Sequence, residues 1–309
     1  MRMSYNPLVS IIIPNYNHAP FLNQRLDTIY NQTYRNIEVI ILDDCSSDNS
    51  KEIIEHYREH PLTSQIIYNT NNSGSPFKQW YKGLQFAKGE LVWIAESDDY
   101  CELYFLEELI KGFQESPNVV MTYSDLWVVN SAGNILYKET KEHCHNIPST
   151  TYIYEGVEFI KERMIKHCSV CNASSVLFKR ETALSITTQY INYKSAGDYL
   201  FWILIAEKGN VVKIDKALDY FRQHRTNVTP KSYLNGTTYI EDYSIHKYLW
   251  KKKYLHGRKG FALYIQKLEN IMYHIEVESN VRKKILKIWN KYKLFNKYTM
   301  ALCWRIIKL

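Results

Sequence analysis

The chain has 309 residues, 45% of them hydrophobic, which excludes a disordered segment and allows one large core or a core with an appendage. The net charge of +7 conceals a split: residues 241–309 carry 16 Lys+Arg against 5 Asp+Glu, and the rest carries 23 against 27. No run reaches the ~18 apolar residues of a membrane span, and residues 9–13 are too short for a signal-peptide core, so a cytoplasmic protein is expected, with its six cysteines reduced.

Residues 9–14, Val-Ser-Ile-Ile-Ile-Pro, read as a buried first strand ended by proline. A polar loop of Asn15, Tyr16, Asn17 and His18 follows, and Leu22, Leu26 and Ile29 put one apolar face on a helix over 21–31. A second strand over 37–42 runs into Asp43, Asp44, Cys45, Ser46, Ser47 and Asp48, the last two being caps for a helix over 49–60. A third strand over 65–68, a loop over 69–76 and a helix over 77–87 precede Leu91-Val-Trp-Ile-Ala95, a strand buried on both faces. That strand stops at Glu96, Ser97, Asp98 and Asp99, ahead of a helix over 102–114. Alternation of strand and helix predicts an α/β half-domain with a parallel sheet.

In such sheets ligands lie outside the carboxyl ends of the strands, where both acidic clusters fall. Three carboxylates within four residues repel one another unless a cation or hydrogen-bond donors neutralise them, and hard oxygen ligands suit Mg²⁺ or Mn²⁺ completed by water and phosphate. A nucleotide diphosphate is the implied ligand, against the plainer reading of a solvated acidic turn capping the next helix. No glycine lies between Ile13 and Leu22, which removes the dinucleotide fingerprint and the P-loop and weakens a nucleotidyltransferase reading. Nucleotide recognition then falls to Pro14, Asn15 and Tyr16 beside the base, to Asp43 for base or ribose, and to Asp98 and Asp99 for ribose and metal. Asp44 and Glu96 are secondary candidates, a turn or cap being the alternative for Asp44.

Val9-Ser-Ile-Ile-Ile-Pro-Asn-Tyr-Asn17, the block from Gln32 to Asp48 and Ala87-Lys-Gly-Glu-Leu-Val-Trp-Ile-Ala-Glu-Ser-Asp-Asp99 together resemble the consecutive blocks of glycosyltransferase family 2, in order and spacing, over roughly the first 120 residues. The resemblance implies a GT-A fold and inverting transfer from a nucleotide diphosphate sugar, UDP being the expected carrier, with a divalent metal at a D-x-D-type site. Glu96 departs from the pattern, where Asp is commoner, so ribose and metal are placed on Asp98 and Asp99 and Glu96 is left as a longer-reach ligand.

The second half begins with a strand over 119–129, a hairpin turn over 131–134 and a return over 135–138. A further strand is expected over 172–179, its small residues Ala173, Ser174 and Ser175 lining a pocket wall. Asp198 opens an apolar helix running to Lys208, where the residue alone reads equally as an N-cap. The resemblance implies that Asp198 is the catalytic base. Residues 218–229 resemble the family's Tyr-Arg-x-His-x-x-Asn block, which implies His224 as a metal ligand or phosphate donor and Arg222 or Arg225 as a fork on phosphate. Cys168 and Cys171, with His143, Cys144, His145 and His167 nearby in sequence, match no standard zinc spacing and are expected to be structural thiols.

The tail holds helical stretches over 243–250, 261–275 and 281–309, the last mixing lysines with Ile285, Ile288, Trp289, Leu294, Phe295, Tyr298, Leu302 and Trp304. A basic amphipathic helix of this kind suits peripheral attachment to the inner leaflet, beside a glycan or lipid-linked acceptor. The alternative is packing on the body or on a second subunit of a homo-oligomer; nucleic acid is not an expected partner. The expected organisation is therefore a GT-A α/β domain over 1–235, with a mixed, mainly parallel sheet flanked by helices. Its donor and metal half spans 1–100 and its acceptor half 101–235, and a helical extension covers 236–309. The competing readings are a nucleotidyltransferase, told apart by pyrophosphate release, and a silent nucleotide-sugar-binding scaffold without turnover.

Overall fold

The computed structural model describes residues 5–139, 151–225, 227–274 and 277–289. The first compact unit ends at Thr226 and the second begins at Asn227. Helix Val228–Leu234, which sequence placed in the catalytic part, packs on the next helix and so joins the second unit.

Strands β1 (Val9–Asn15), β2 (Ile37–Asp43), β3 (Thr63–Tyr68) and β4 (Leu91–Ile94) alternate with helices α1 (Ala19–Tyr30), α2 (Ser50–Glu55) and α3 (Pro76–Phe86). They pair in parallel in the order β3-β2-β1-β4, as the alternation predicts. β1 is buried at every position, and its neighbours alternate with the pleat. Ile11 and Ile13 meet α1 residues Leu22, Leu26 and Ile29, whereas Ile12 lies against Gly83 of α3. A β-carbon at Gly83 would come 2.4 Å from the Ile12 side chain, so this glycine lets α3 lie close on the sheet. Pro14 sits past the last β1–β4 pair, Ile12 with Ile94, where its missing N–H costs no bond to β4.

The sheet continues through β5 (Tyr100–Cys101), α4 (Phe105–Gly112), β6 (Val119–Val129), β7 (Ile135–Glu139), β8 (Thr151–Tyr154), α5 (Gly156–Phe159), β9 (Val176–Lys179), α6 (Arg180–Ser185), α7 (Gly197–Ala206) and β10 (Asn210–Arg222). The full order is β3-β2-β1-β4-β9-β6-β10-β5, with β7 on β6 and β8 on β10. β9 runs antiparallel to both β4 and β6, which joins the two halves into one mixed sheet. The helix expected from Glu102 starts later, because Tyr100 and Cys101 pair with β10 and Glu102 N donates to Leu218 O. The strand expected over 172–179 is half a strand: Ala173–Ser175 form a tight 3₁₀ turn whose hydroxyls serve the site described below.

The second unit contains α8 (Val228–Leu234), α9 (Thr237–Lys251), α10 (Gly257–Glu269) and α11 (Ser279–Trp289) around a core of Tyr264, Leu268, Ile271, Ile285 and Trp289. Tyr264 donates to Trp289 O at 2.7 Å, and Trp289 Nε1 donates to Tyr239 O at 3.0 Å. Ile285 and Trp289, expected on a lipid-facing side, are thus buried within the unit, while Lys283, Lys284 and Lys287 stay exposed. Ile285 and Trp289 pack there with Tyr264, Leu268 and Ile271, covering the apolar face of the neighbouring helices. Leu294, Phe295, Tyr298, Leu302 and Trp304 lie outside the described residues. No helix among the described residues is long and apolar enough to cross a membrane.

Candidate active site

Because β1, β2 and β4 are parallel, their C-terminal residues reach one edge of the sheet. Asn15 pairs with Asp43 in register, and Asn15 Nδ2 donates to Asp43 Oδ1 at 2.8 Å and to Ser46 Oγ at 3.2 Å. Ser46 N donates to Asp43 Oδ2 at 2.9 Å, and Asn17 N donates to Ser46 Oγ at 2.9 Å. Asp48 accepts from Ala19 N and Ser50 N, so the loops after β1 and β2 are laced together and carry α1 and α2 outward. Of the donor-binding residues expected here, Pro14, Asn15 and Asp43 are buried and Tyr16 is exposed.

Asp44 differs from its neighbour. Its carboxylate accepts from Asn69 Nδ2 at 2.6 Å, Gln79 Nε2 at 2.9 Å, and Ser73 N and Oγ at 2.9 and 2.8 Å. Both of its oxygens are held by the loop before α3 and by Gln79 in that helix, so Asp44 organises this stretch.

Glu96, Ser97, Asp98 and Asp99, beyond β4, point to four different sets of partners. Glu96 Oε1 accepts from Trp80 Nε1 at 2.8 Å, and burial, reinforced by the Asp98 charge, pushes its carboxyl up to about 8. Ser97 Oγ is hydrogen-bonded to His18 Nδ1 at 2.8 Å. Asp98 Oδ2 lies 2.9 Å from His224 Nε2; burial works to raise the Asp98 carboxyl, but the His224 hydrogen bond and the His18 charge outweigh it and hold the group low. Asp99 turns inward. Its Oδ2 accepts from Asn172 Nδ2 and Ser174 Oγ, each at 2.7 Å, and its Oδ1 from Arg222 N at 2.9 Å. Burial and the adjacent Asp98 charge push Asp99 up to about 6.

His18, Asp98 and His224 therefore form the group whose ligand atoms lie within 4.8 Å of one another, each partly buried. The imidazoles of His18 and His224 stand edge-on at 85°, 5.4 Å between ring centres, and Phe21 lies 4.8 Å from the His224 ring. Asp99, expected as a metal ligand with Asp98 and His224, lies outside this group, and protein donors hold both of its oxygens. His18, which sequence reasoning passed over as loop, lies in this group; its position just beyond β1, opposite the acids after β4, was the available signal.

Two further expectations are corrected. Ser174 is fully buried, donating to Asp99 and accepting from Glu96 N at 3.1 Å, so it braces the acidic turn and lines no pocket. Arg222 is no phosphate fork. Its Nε donates to Asp98 O at 2.7 Å, its terminal nitrogens to Ser131 O at 3.1 Å and Gln24 Oε1 at 2.6 Å, and its guanidinium lies between Phe21 and Tyr100. Arg225 is exposed. Asn172 also donates to Asp219 Oδ2 at 3.0 Å, which ties Asp99 to a second buried acid whose carboxyl burial and Asp99 hold well above the usual range. Arg25, buried over Trp93 with Nε donating to Glu96 O, supplies positive charge to this cluster.

Asp198 lies partly buried in the first turn of α7, whose N-cap is Ala196, so Asp198 is not itself the cap. Gly197 fits only because it lacks a β-carbon, which would come 2.5 Å from the Phe77 ring. Trp80 packs edge-on to Phe201 at 5.6 Å, so the helix carrying Asp198 shares a wall with the residue that holds Glu96. Cys168 and Cys171 are reduced and take no part in the metal-ligand group found among the described residues; His143, Cys144 and His145 lie outside them.

Comparison with known proteins agrees with this fold. Residues 10–172, more than half of the chain, match the model of Glycosyl transferase family 2. GlyG of Streptococcus pneumoniae, a glycosyltransferase, is 32% identical over 133 residues, covering 43% of this chain and 44% of GlyG, so the chain spans about half the length of that relative. WfaP of Escherichia coli, a UDP-Glc:alpha-D-GlcNAc-diphosphoundecaprenol beta-1,3-glucosyltransferase, is 28% identical over 240 residues, 73% of this chain and 81% of WfaP. The structure of Staphylococcus aureus TarS 1-349 in complex with UDP-GlcNAc superposes with a TM-score of 0.58 at 18% identity, over 94% of this chain and 74% of that one. The shared architecture, a mixed and mostly parallel sheet between helices, is the GT-A fold expected from sequence. With its fold, its ordered motifs and its family match in agreement, the chain belongs to glycosyltransferase family 2.

Proposed function

We propose that the protein is an inverting glycosyltransferase that moves a sugar from a UDP-sugar to a hydroxyl of a glycan or lipid-linked acceptor, in cell-surface polysaccharide synthesis. The observation that carries this reading is the Asp98–His224 pair, 2.9 Å apart, on the same strand-end rim as the Asn15–Asp43 pair. A carboxylate oxygen and an imidazole nitrogen at that separation suit neighbouring ligands of one Mn²⁺ or Mg²⁺. Such an ion, when bound, offsets the charge that grows on the departing diphosphate. Asn15 holds Asp43 at the rim for base or ribose, Tyr16 offers an exposed ring beside it, and Asp98 serves both ribose and metal. Asp198 takes the proton that the acceptor hydroxyl loses as it attacks the anomeric carbon opposite the diphosphate. WfaP, whose name specifies a UDP-sugar and a diphosphoundecaprenol-linked acceptor, supports the same classes here.

The test is turnover with UDP-sugars, Mn²⁺ and isolated lipid-linked acceptors, following the released product. UDP release supports the reading; pyrophosphate release or no turnover with any acceptor overturns it. In Asp198→Asn, transfer should fall on the order of 10²- to 10⁴-fold with UDP binding unchanged. Full activity in that variant places the base elsewhere.

The second unit is read as the membrane-proximal part, peripheral on the inner leaflet. With Ile285 and Trp289 turned inward, attraction rests on exposed Lys283, Lys284 and Lys287, at about 1 kcal/mol per cation near an anionic leaflet. Replacing those three with Glu should cut flotation with phosphatidylglycerol vesicles; equal recovery in the top fraction removes the membrane role.

A further inference from the structure

We propose that His18 is a third protein ligand, so that His18, Asp98 and His224 form a two-imidazole, one-carboxylate centre that takes Mn²⁺ or a similar transition ion well ahead of Mg²⁺. This rests on the reading that the rim holds the metal of the donor complex. It goes further in naming a ligand from the loop after β1 and the class of ion selected.

Three observations carry it. The ligand atoms converge within 4.8 Å from three separate segments: the loop between β1 and α1, the turn after β4, and the chain just past β10. The 2.9 Å hydrogen bond between Asp98 Oδ2 and His224 Nε2 already sets the two atoms at the spacing of neighbouring metal ligands, since two ligands each about 2.1 Å from an ion and at right angles lie about 3 Å apart. His18 Nδ1 is already engaged by Ser97 Oγ at 2.8 Å, which leaves Nε2 for coordination. Ligating histidines are commonly held in this way, one nitrogen on the metal and the other on an oriented oxygen. Ser97 sits directly between Glu96 and Asp98, so one short turn supplies both a ligand and the support of another.

The donor set decides the ion. Mg²⁺ favours an all-oxygen octahedron and sheds water reluctantly, whereas imidazole donors favour transition ions, of which Mn²⁺ also accepts carboxylate, phosphate and water oxygens. Two nitrogens and one oxygen from the protein would leave room in the ion's shell for diphosphate oxygens and water. Phe21, beside the His224 ring, closes part of the protein side of this group with an apolar face.

The experiment is a Mn²⁺ titration of the full-length protein without nucleotide, read by electron paramagnetic resonance, with pulsed measurement of ¹⁴N couplings and with Mg²⁺ as competitor. One Mn²⁺ per chain with couplings from two imidazoles, resisting a hundredfold excess of Mg²⁺, is the expected result. His18→Ala should weaken Mn²⁺ binding about tenfold or more, by analogy with lost metal-site contacts, and leave one imidazole coupling. His18→Asp, which substitutes a hard oxygen for a nitrogen, should narrow the preference for Mn²⁺ over Mg²⁺ by about tenfold while keeping a metal bound. Unchanged melting curves separate these effects from misfolding. A single imidazole coupling in the wild type, with the same affinity in His18→Ala, overturns the proposal and leaves the Asp98–His224 site standing. Absence of bound Mn²⁺ with or without UDP, alongside transfer that survives a chelator, overturns both.

Discussion

Two acidic pairs, Asp43/Asp44 at the end of β2 and Asp98/Asp99 in the turn beyond β4, lie at the carboxyl ends of parallel strands, yet within each pair the two carboxylates take different partners. Asp43 and Asp98 stay on the rim, bonded to Asn15 and His224, each a partner from another strand end. Asp44 and Asp99 are drawn away, one into the loop before α3 and the other into the buried contact with Asn172, Ser174 and Arg222. Asp43 is the last residue of β2 with Asp44 just beyond it, and Asp98 lies in a turn with Asp99 just beyond it, so adjacent identical residues meet different surroundings. The pairs also differ from each other. Asp44 has neutral amide and hydroxyl partners and no second acid among them, whereas Asp99 shares Asn172 with Asp219, so one buried donor serves two acids.

The largest effect that tests this division is expected at Asp98. Asp98→Asn should reduce transfer on the order of 10²- to 10³-fold and abolish the Mn²⁺ dependence of donor binding, with little change in melting temperature. An Asp98→Asn enzyme that still binds UDP more tightly with Mn²⁺ would erase the contrast with Asp99. Next in size is Asp99→Asn, which places an amide donor among three existing donors and should cost about 1–3 kcal/mol of stability while moving Mn²⁺ affinity little. Asp44→Asn should behave in the same direction, with a raised KM for donor because the loop over 69–76 loses its anchor. Calorimetry and metal titration on the two variants decide whether the inner acids are structural.

The smallest effect is a pH dependence. Asp219 has a folded-state carboxyl raised well above 3.8, so between that value and its raised one the folded chain holds a proton that the unfolded chain has lost. Stability therefore falls as pH rises through that window and is undiminished below it. Asp219→Asn should flatten the fall in melting temperature as pH rises above the ordinary carboxylate range; an unchanged slope would show that the Asp99–Asn172–Asp219 cluster does not titrate as a unit.

Much of this was legible in the chain itself. The β-branched runs at 9–14 and 37–42, the apolar strand at 91–94 and the helical spacing between them specify a parallel half-sheet, because burial on both faces needs unbroken apolar runs. The same runs place the acids at one edge. Element ends were less legible: α2 stops at Glu55 and α4 starts at Phe105, where Arg58 pairs with Glu55 and β5 pairs with β10. The roles of Ser174 and Arg222 were hidden for a related reason. Each depends on what arrives from a distant segment, Asp99 in one case and the hairpin carbonyl of Ser131 in the other.

The amino-acid order alone determined the family, the fold and the strand ends where the chemistry gathers, since periodicity and local motif are properties of neighbouring residues. Only the folded chain decided which acid of each pair faces the rim, that His18 joins Asp98 and His224, and that Ile285 and Trp289 cover the second unit's own core. Those outcomes depend on contacts between residues tens to hundreds of positions apart, which packing brings together and no local pattern encodes.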